Sequence, residues 1–179
     1  LISPLNTPSK FMTGDYFLTN QQHDIKKKIV DLILLDDKEH ILGITGKAGT
    51  GKTLLLYDII KTVAEQGLKC CLIHSGILCN GHKTLNTQWE NVNIFSAKEL
   101  NGDGAERLKK YQYIFVDESQ RIYISAFKKI LEEVISESKT VIFAYDYVQS
   151  LSKAEVNRNI PAKLKEVDGF IEYMLSDKI

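Results

Sequence analysis

The run Gly46-Lys47-Ala48-Gly49-Thr50-Gly51-Lys52-Thr53 fits the phosphate-binding pattern G-x-x-x-x-G-K-[ST] without a gap. Its flanks narrow the fold further. Residues 40–45 (HILGIT) read as a short buried strand, and residues 54–65 (LLLYDIIKTVAE) read as a helix ending near Gly67. Strand, glycine loop and helix aim backbone N–H groups and a positive helix end at a polyphosphate. Gly46, Gly49 and Gly51 admit backbone conformations and close approaches that a Cβ would block. In this pattern Lys52 reaches the β- and γ-phosphates, and the Thr53 hydroxyl sits on Mg²⁺.

Short apolar strands alternate with helices along the rest of the chain. A helix follows Thr19, with Ile25, Ile29, Val30, Ile33 and Leu34 on one side. Further strands are expected at 69–74, 92–95, 113–117 and 140–145, with helices toward Trp89, over 97–100 and over 123–137. Asn101–Gly104 reads as a turn. Residues 1–17, with Pro4, Pro8 and Gly14, read as an irregular lead-in. The alternation predicts an α/β fold with a mostly parallel sheet and helices on both faces. Ligands of such sheets bind at the carboxyl ends of the strands.

The 179 residues suffice for one sizeable domain, here assigned to 18–179 after the lead-in. No apolar run approaches the ~20 residues of a membrane span, and no secretory signal is visible. The first residue is Leu1, so the chain reads as an excised fragment of a cytoplasmic protein. The 23 basic residues balance the 23 acidic ones. That neutrality counts mildly against strong nucleic-acid binding by this piece alone. Cys70, Cys71 and Cys79 fit no metal-ligand spacing. They read as free thiols, the first two pointing to opposite faces of one strand.

The strand Ile114-Phe115-Val116 ends in two carboxylates, Asp117 and Glu118. Beside a phosphate loop, the first can hold the Mg²⁺ shell and the second can orient and deprotonate an attacking water. Adjacent carboxylates also repel, which helps raise the pKa of the one less tightly held.

Residues Asp117-Glu118-Ser119-Gln120 resemble motif II (D-E-x-Q) of superfamily 1 helicases, and Gly46–Thr53 resembles their motif I. Leu18-Thr19-Asn20-Gln21-Gln22 resembles the adenine-reading Q motif, with Gln22 the better-spaced glutamine. Asp146-Tyr147-Val148-Gln149 resembles motif III, in which the glutamine senses the γ-phosphate. Tyr145 stands where that motif usually has Gly. More closely, 46–56, 72–76, 81–85 and 115–123 resemble the Schlafen-related, helicase-like ATP-binding family. The resemblance covers about residues 15–179. It implies a RecA-like P-loop NTPase lobe that binds Mg²⁺ and ATP, with Glu118, Lys52 and Gln149 catalytic and Thr53 and Asp117 at the metal.

The resemblance also implies that the loop from His74 to Gly81 touches single-stranded nucleic acid. His74, His82 and Lys83 are the candidate phosphate contacts, and Trp89 or Phe95 the candidate stacking platforms, against a plainer role for each in core or on a solvated surface. In such motors a second RecA-like lobe donates an arginine to the γ-phosphate. Residues 173–179 would form the strand leading toward it. Arg107, Arg121 and Arg158 lack finger spacing, so this piece is expected to bind Mg-ATP but turn it over slowly. Two further readings stand beside the motor. One is a non-translocating ATP switch controlling an attached effector. The other is a small-molecule kinase, against which the water-activating Glu of the D-E-x-Q run argues.

Overall fold

In the computed structural model, which describes residues 3–147 and 158–176, the strands are β1 (His40–Gly46), β2 (Cys70–His74), β3 (Val92–Ser96), β4 (Tyr113–Asp117), β5 (Thr140–Tyr145) and β6 (Ile171–Leu175). They form one sheet in the order β3-β2-β4-β5-β1-β6. Every pairing is parallel, so the sheet is more uniform than expected. The helices are α1 (Pro8–Thr13), α2 (Asn20–Ile33), α3 (Lys52–Glu65), α4 (Asn80–Gln88), α5 (Ile124–Ser136) and α6 (Ile160–Lys165). Among the described residues, no helix is long and apolar enough to cross a membrane.

The central strands are buried along their whole length, as their continuous apolar runs require when both faces are covered. Their period of two sorts side chains into two cores. Leu42, Ile44, Cys70, Leu72, Phe115 and Ile142 face α2 and α3 together with Leu85 of α4. Ile41, Cys71, Ile73, Ile114, Val116 and Phe143 face α5, α6 and the 3₁₀ turns around Leu100 and Leu108. Cys70 and Cys71 therefore do lie on opposite faces, both as free thiols.

Three local expectations shift. Residues 102–110 are a 3₁₀ run rather than a turn confined to 101–104. Leu34 caps α2 and is 39% exposed, because the helix ends at Ile33 and the next residue leaves its buried stripe. The lead-in is not irregular throughout. Pro8 opens α1, Gly14 closes it, and Phe11 is fully buried against the first core. Lys61 of α3 donates to the carbonyls of Phe11 (3.3 Å) and Met12 (3.0 Å). The Tyr16 hydroxyl donates to Asp58 of α3, whose other oxygen pairs with Lys26 at 2.6 Å. Residues 8–16 are thus tied across the helix that follows the glycine loop.

Candidate nucleotide-binding site

Helix α3 starts at Lys52, two residues earlier than its apolar periodicity shows, because the glycine loop turns straight into it. Gly49 and Gly51 have φ of 80° and 77°, the left-handed region that favours glycine. Gly46 is required by close approach: a Cβ there would lie 2.6 Å from Thr50 Oγ1 and 2.7 Å from the Leu175 carbonyl. Gly51 is the N-cap, so the first-turn N–H groups of α3 carry no intrahelical partner and face the loop. Lys47, Ala48 and Gly49 form its exposed rim, and Thr50 is buried beneath.

Lys52 Nζ donates to the carbonyls of Gly46 and Lys47, both at 2.9 Å, and stands 3.8 Å from Asp146 Oδ2. Burial lowers its pKa, and the carboxylates of Asp146, Glu118 and Asp117 oppose that shift. The ammonium is folded over the loop, where phosphate oxygens would compete with carbonyls as better acceptors.

Asp117 ends β4 and is buried, with Thr53 Oγ1 at 3.3 and 3.4 Å from its two oxygens. Burial first, then the Glu118 charge, push its carboxyl up to about 7, against the pull of the Glu118 N–H, the Thr53 hydroxyl and Lys52. Such a carboxylate is short of positive charge, and with the Thr53 hydroxyl it makes an oxygen-only, hard donor pair suited to Mg²⁺. Among the described residues no group of three or more His, Cys, Asp or Glu forms a metal cluster, so such an ion would arrive with phosphate oxygens completing its shell.

Glu118 has φ 54° and ψ 39°, a left-handed backbone costing about 1–3 kcal/mol for a non-glycine residue. Its N–H donates to Asp117 Oδ1 at 2.9 Å, which holds that turn. Gln120 Nε2 donates to Glu118 Oε2 at 2.9 Å, and Arg121 Nε lies 3.7 Å from the same oxygen. Gln120 Oε1 in turn accepts the Asp146 N–H at 3.3 Å. One amide therefore ties the acidic pair of β4 to the end of β5. Gln120 and Asp146 went unassigned in the sequence, although both sit in the D-E-x-Q and D-x-x-Q runs that flagged the site.

Gln22 is 1% exposed. Its carbonyl accepts the Thr19 N–H at 2.9 Å, and its amide donates to the Thr50 and Gly51 carbonyls at 3.2 and 3.4 Å. It clamps α2 to the glycine loop from below. Gln21 beside it bonds Ser176 just past β6. Gln149 lies outside the described residues. Tyr145 at the end of β5 is buried and its hydroxyl donates to Glu172 of β6.

The candidate strand contacts divide. Trp89 and Phe95 are 7% and 5% exposed, so both are core residues with no face for a base to stack on. Of these candidates only Lys83 is exposed, and His74 is half-buried. Arg121 ends the 3₁₀ turn after the acidic pair and lies ahead of α5. Arg107 pairs with Glu99 and lies over the Phe95 ring, and Arg158 lies over Tyr123.

His82 is 2% exposed, not solvated, and its ring is 4.4 Å from that of His74. Its Nδ1 accepts the Cys79 N–H at 3.0 Å, while its Nε2 has no partner among the described residues. Burial, then His74, push it from 6.5 down to about 4. The unfolded chain therefore binds a proton between those values that the folded chain refuses. This contribution to stability is full above pH 6.5 and is lost as pH falls toward 4, by about 2 kcal/mol. Asp117, held near 7, works in the opposite direction over the same range, so the His82 share is read as a difference: in urea unfolding from pH 7 to 4.5, His82→Gln should gain stability relative to the wild type as the pH falls. Equal slopes in the two proteins would mean His82 titrates normally.

Domain III of the replication initiation protein DnaA from Thermotoga maritima is similar in structure, with a TM-score of 0.57 at 17% identity over 99% of this chain and 70% of that one. The Pif1 helicase from Candida albicans gives 0.56 at 18% identity over 92% of this chain and 41% of its own. AMPPCP-bound DnaA from Aquifex aeolicus gives 0.54 at 14% identity, covering 88% and 55%. At such identities these likenesses show the fold, that of RecA-like P-loop NTPases. This chain thus spans less than half of the Candida helicase chain. No curated protein matches the sequence, and nothing in these comparisons supports the Schlafen-related resemblance. The family model described as PIF1-like helicase matches residues 17–160, most of the chain and all of the motifs up to the end of β5, and the chain belongs to the PIF1-like helicase family.

Proposed function

We propose that this chain is the ATP-binding lobe of a nucleic-acid-dependent ATPase, in which Mg-ATP hydrolysis drives strand translocation or remodelling. The observation that carries this is the convergence of Lys52, Thr53, Asp117 and Glu118 at the carboxyl ends of β1 and β4, the two strands flanking β5. Lys52 and the N–H groups of residues 47–53 bind the β- and γ-phosphates. Thr53 and Asp117 would hold Mg²⁺, which offsets phosphate charge when bound. Glu118 orients the attacking water and takes its proton. Gln120 and Arg121 hold the Glu118 carboxylate while it waits. Gln149 remains the proposed γ-phosphate sensor. Gln22 contributes by bracing the loop, and adenine contact would need it to leave that clamp.

The first RecA-like lobe, residues 18–179, would work against a second lobe in the parent protein, which supplies the arginine for the transition state. Single-stranded nucleic acid would cross the loops after β2. The test is ATP turnover by the full-length protein with and without single-stranded DNA or RNA. Strong stimulation, absent in Glu118→Gln, is the expected result. Slow, unstimulated turnover with tight ATP binding would favour a non-translocating switch. The locking of Tyr145 onto Glu172 favours that second reading, because it immobilises the end of β5 where motif III begins.

A further inference from the structure

The loop after β2 is wired to the backbone of the acidic pair through one side chain. His74 is in register with Asp117 across β2 and β4, so the next residue, Ser75, leaves the sheet beside the Asp117–Glu118 peptide. The Ser75 N–H donates to the Asp117 carbonyl at 3.3 Å, which simply extends the parallel ladder. The Ser75 hydroxyl donates to the same carbonyl at 3.0 Å, and that second bond is not part of any ladder. The carbonyl it holds belongs to the peptide that feeds directly into Glu118, whose backbone is left-handed. A peptide plane with an extra donor on its oxygen cannot rotate without breaking that bond, and its rotation is what would swing the Glu118 carboxylate.

The other end of the same loop faces outward. Ile77, two residues on, is 87% exposed, and Lys83 is exposed on α4 just beyond. A ligand pressing on residues 76–79 would bear on Ser75 and, through its hydroxyl, on the Asp117–Glu118 peptide. The inner wall of this path is made of His74, which lies in the field of Glu118 and packs against His82 with the rings tilted by 44°.

We infer that Ser75 is a positioning residue that couples occupancy of the 75–79 loop to the placement of Glu118. This rests on the reading of Glu118 as the base and of that loop as strand-facing. The Ser75 hydroxyl is committed to the Asp117 carbonyl, so it acts through the peptide it holds.

The test compares Ser75→Ala and Ser75→Thr with the wild type in the full-length protein. ATP affinity, turnover without a strand, turnover saturated with single-stranded oligonucleotide and thermal midpoint are measured for each. Losing one neutral hydrogen bond from the coupling predicts that Ser75→Ala loses about fivefold in strand-saturated kcat, with ATP affinity unchanged and the midpoint lowered by no more than about 2–4 °C. Ser75→Thr retains the hydroxyl and should keep the stimulation. Wild-type stimulation in Ser75→Ala would overturn the inference. So would a loss of ATP affinity and basal turnover together with a midpoint drop well beyond about 4 °C, since that marks a structural role. Wild-type turnover indifferent to every strand would instead remove the strand-dependent reading, and this inference with it.

Discussion

Glu118→Gln is expected to lower strand-saturated kcat by about 10²–10⁴, the usual worth of a positioned general base, while ATP binding is kept. The substituted amide retains an oxygen for the Gln120 donor, so the turn after β4 keeps its 2.9 Å tie. The Arg121 contact is lost, but at 3.7 Å between partly exposed groups it contributes little. What disappears is the proton acceptor. Removing the Glu118 charge also relieves Asp117, one of whose two upward pushes comes from that neighbour. Mg-ATP binding should therefore hold or tighten. Turnover and nucleotide affinity measured side by side settle the point. An unchanged kcat would show that the proton goes elsewhere, and a parallel loss of affinity would show that Glu118 serves binding rather than chemistry.

Phe11→Ala should destabilise the fold by about 3–5 kcal/mol, the range for deleting a fully buried aromatic ring. The ring is completely buried, stacks on Tyr16 at 5.2 Å and meets Trp89 and Tyr57 edge-on at 5.6 and 6.2 Å. Lys61 Nζ lies 5.6 Å above it. An alanine leaves a cavity between α1, α3 and α4 whose walls are rigid rings, so the site cannot collapse to fill it. Phe11→Leu should recover most of the loss. Urea unfolding reads both. A cost under about 1 kcal/mol, typical of a surface change, would mean that residues 8–16 are not docked on α3.

Strand positions were legible because burial on both faces writes continuous apolar runs into the sequence, and β4 and β5 match their expected bounds residue for residue. The glycine loop was legible because its geometry demands glycine at fixed offsets. The lead-in was not. Six residues of α1 hold too few apolar positions to show a period, and Phe11 is anchored by groups some fifty residues away. His82 and Trp89 were ambiguous for a related reason. A lone polar or aromatic residue in a short helix carries no sign of which way it faces, and only packing against His74, Phe11 and Tyr57 settles that it faces inward.

By itself the sequence determined the α/β class, the phosphate loop and the acidic pair, since each is set by local spacing that backbone geometry enforces. The tertiary structure decided the strand order that brings β1 and β4 to either side of β5, the use of Gln22 as a brace, and the ties from Gln120 to Asp146 and from Ser75 to the Asp117 carbonyl. Those links join residues 26 to 42 positions apart. A hydrogen bond between such positions leaves no periodicity behind, because it depends on where two strands meet and not on what either strand is made of.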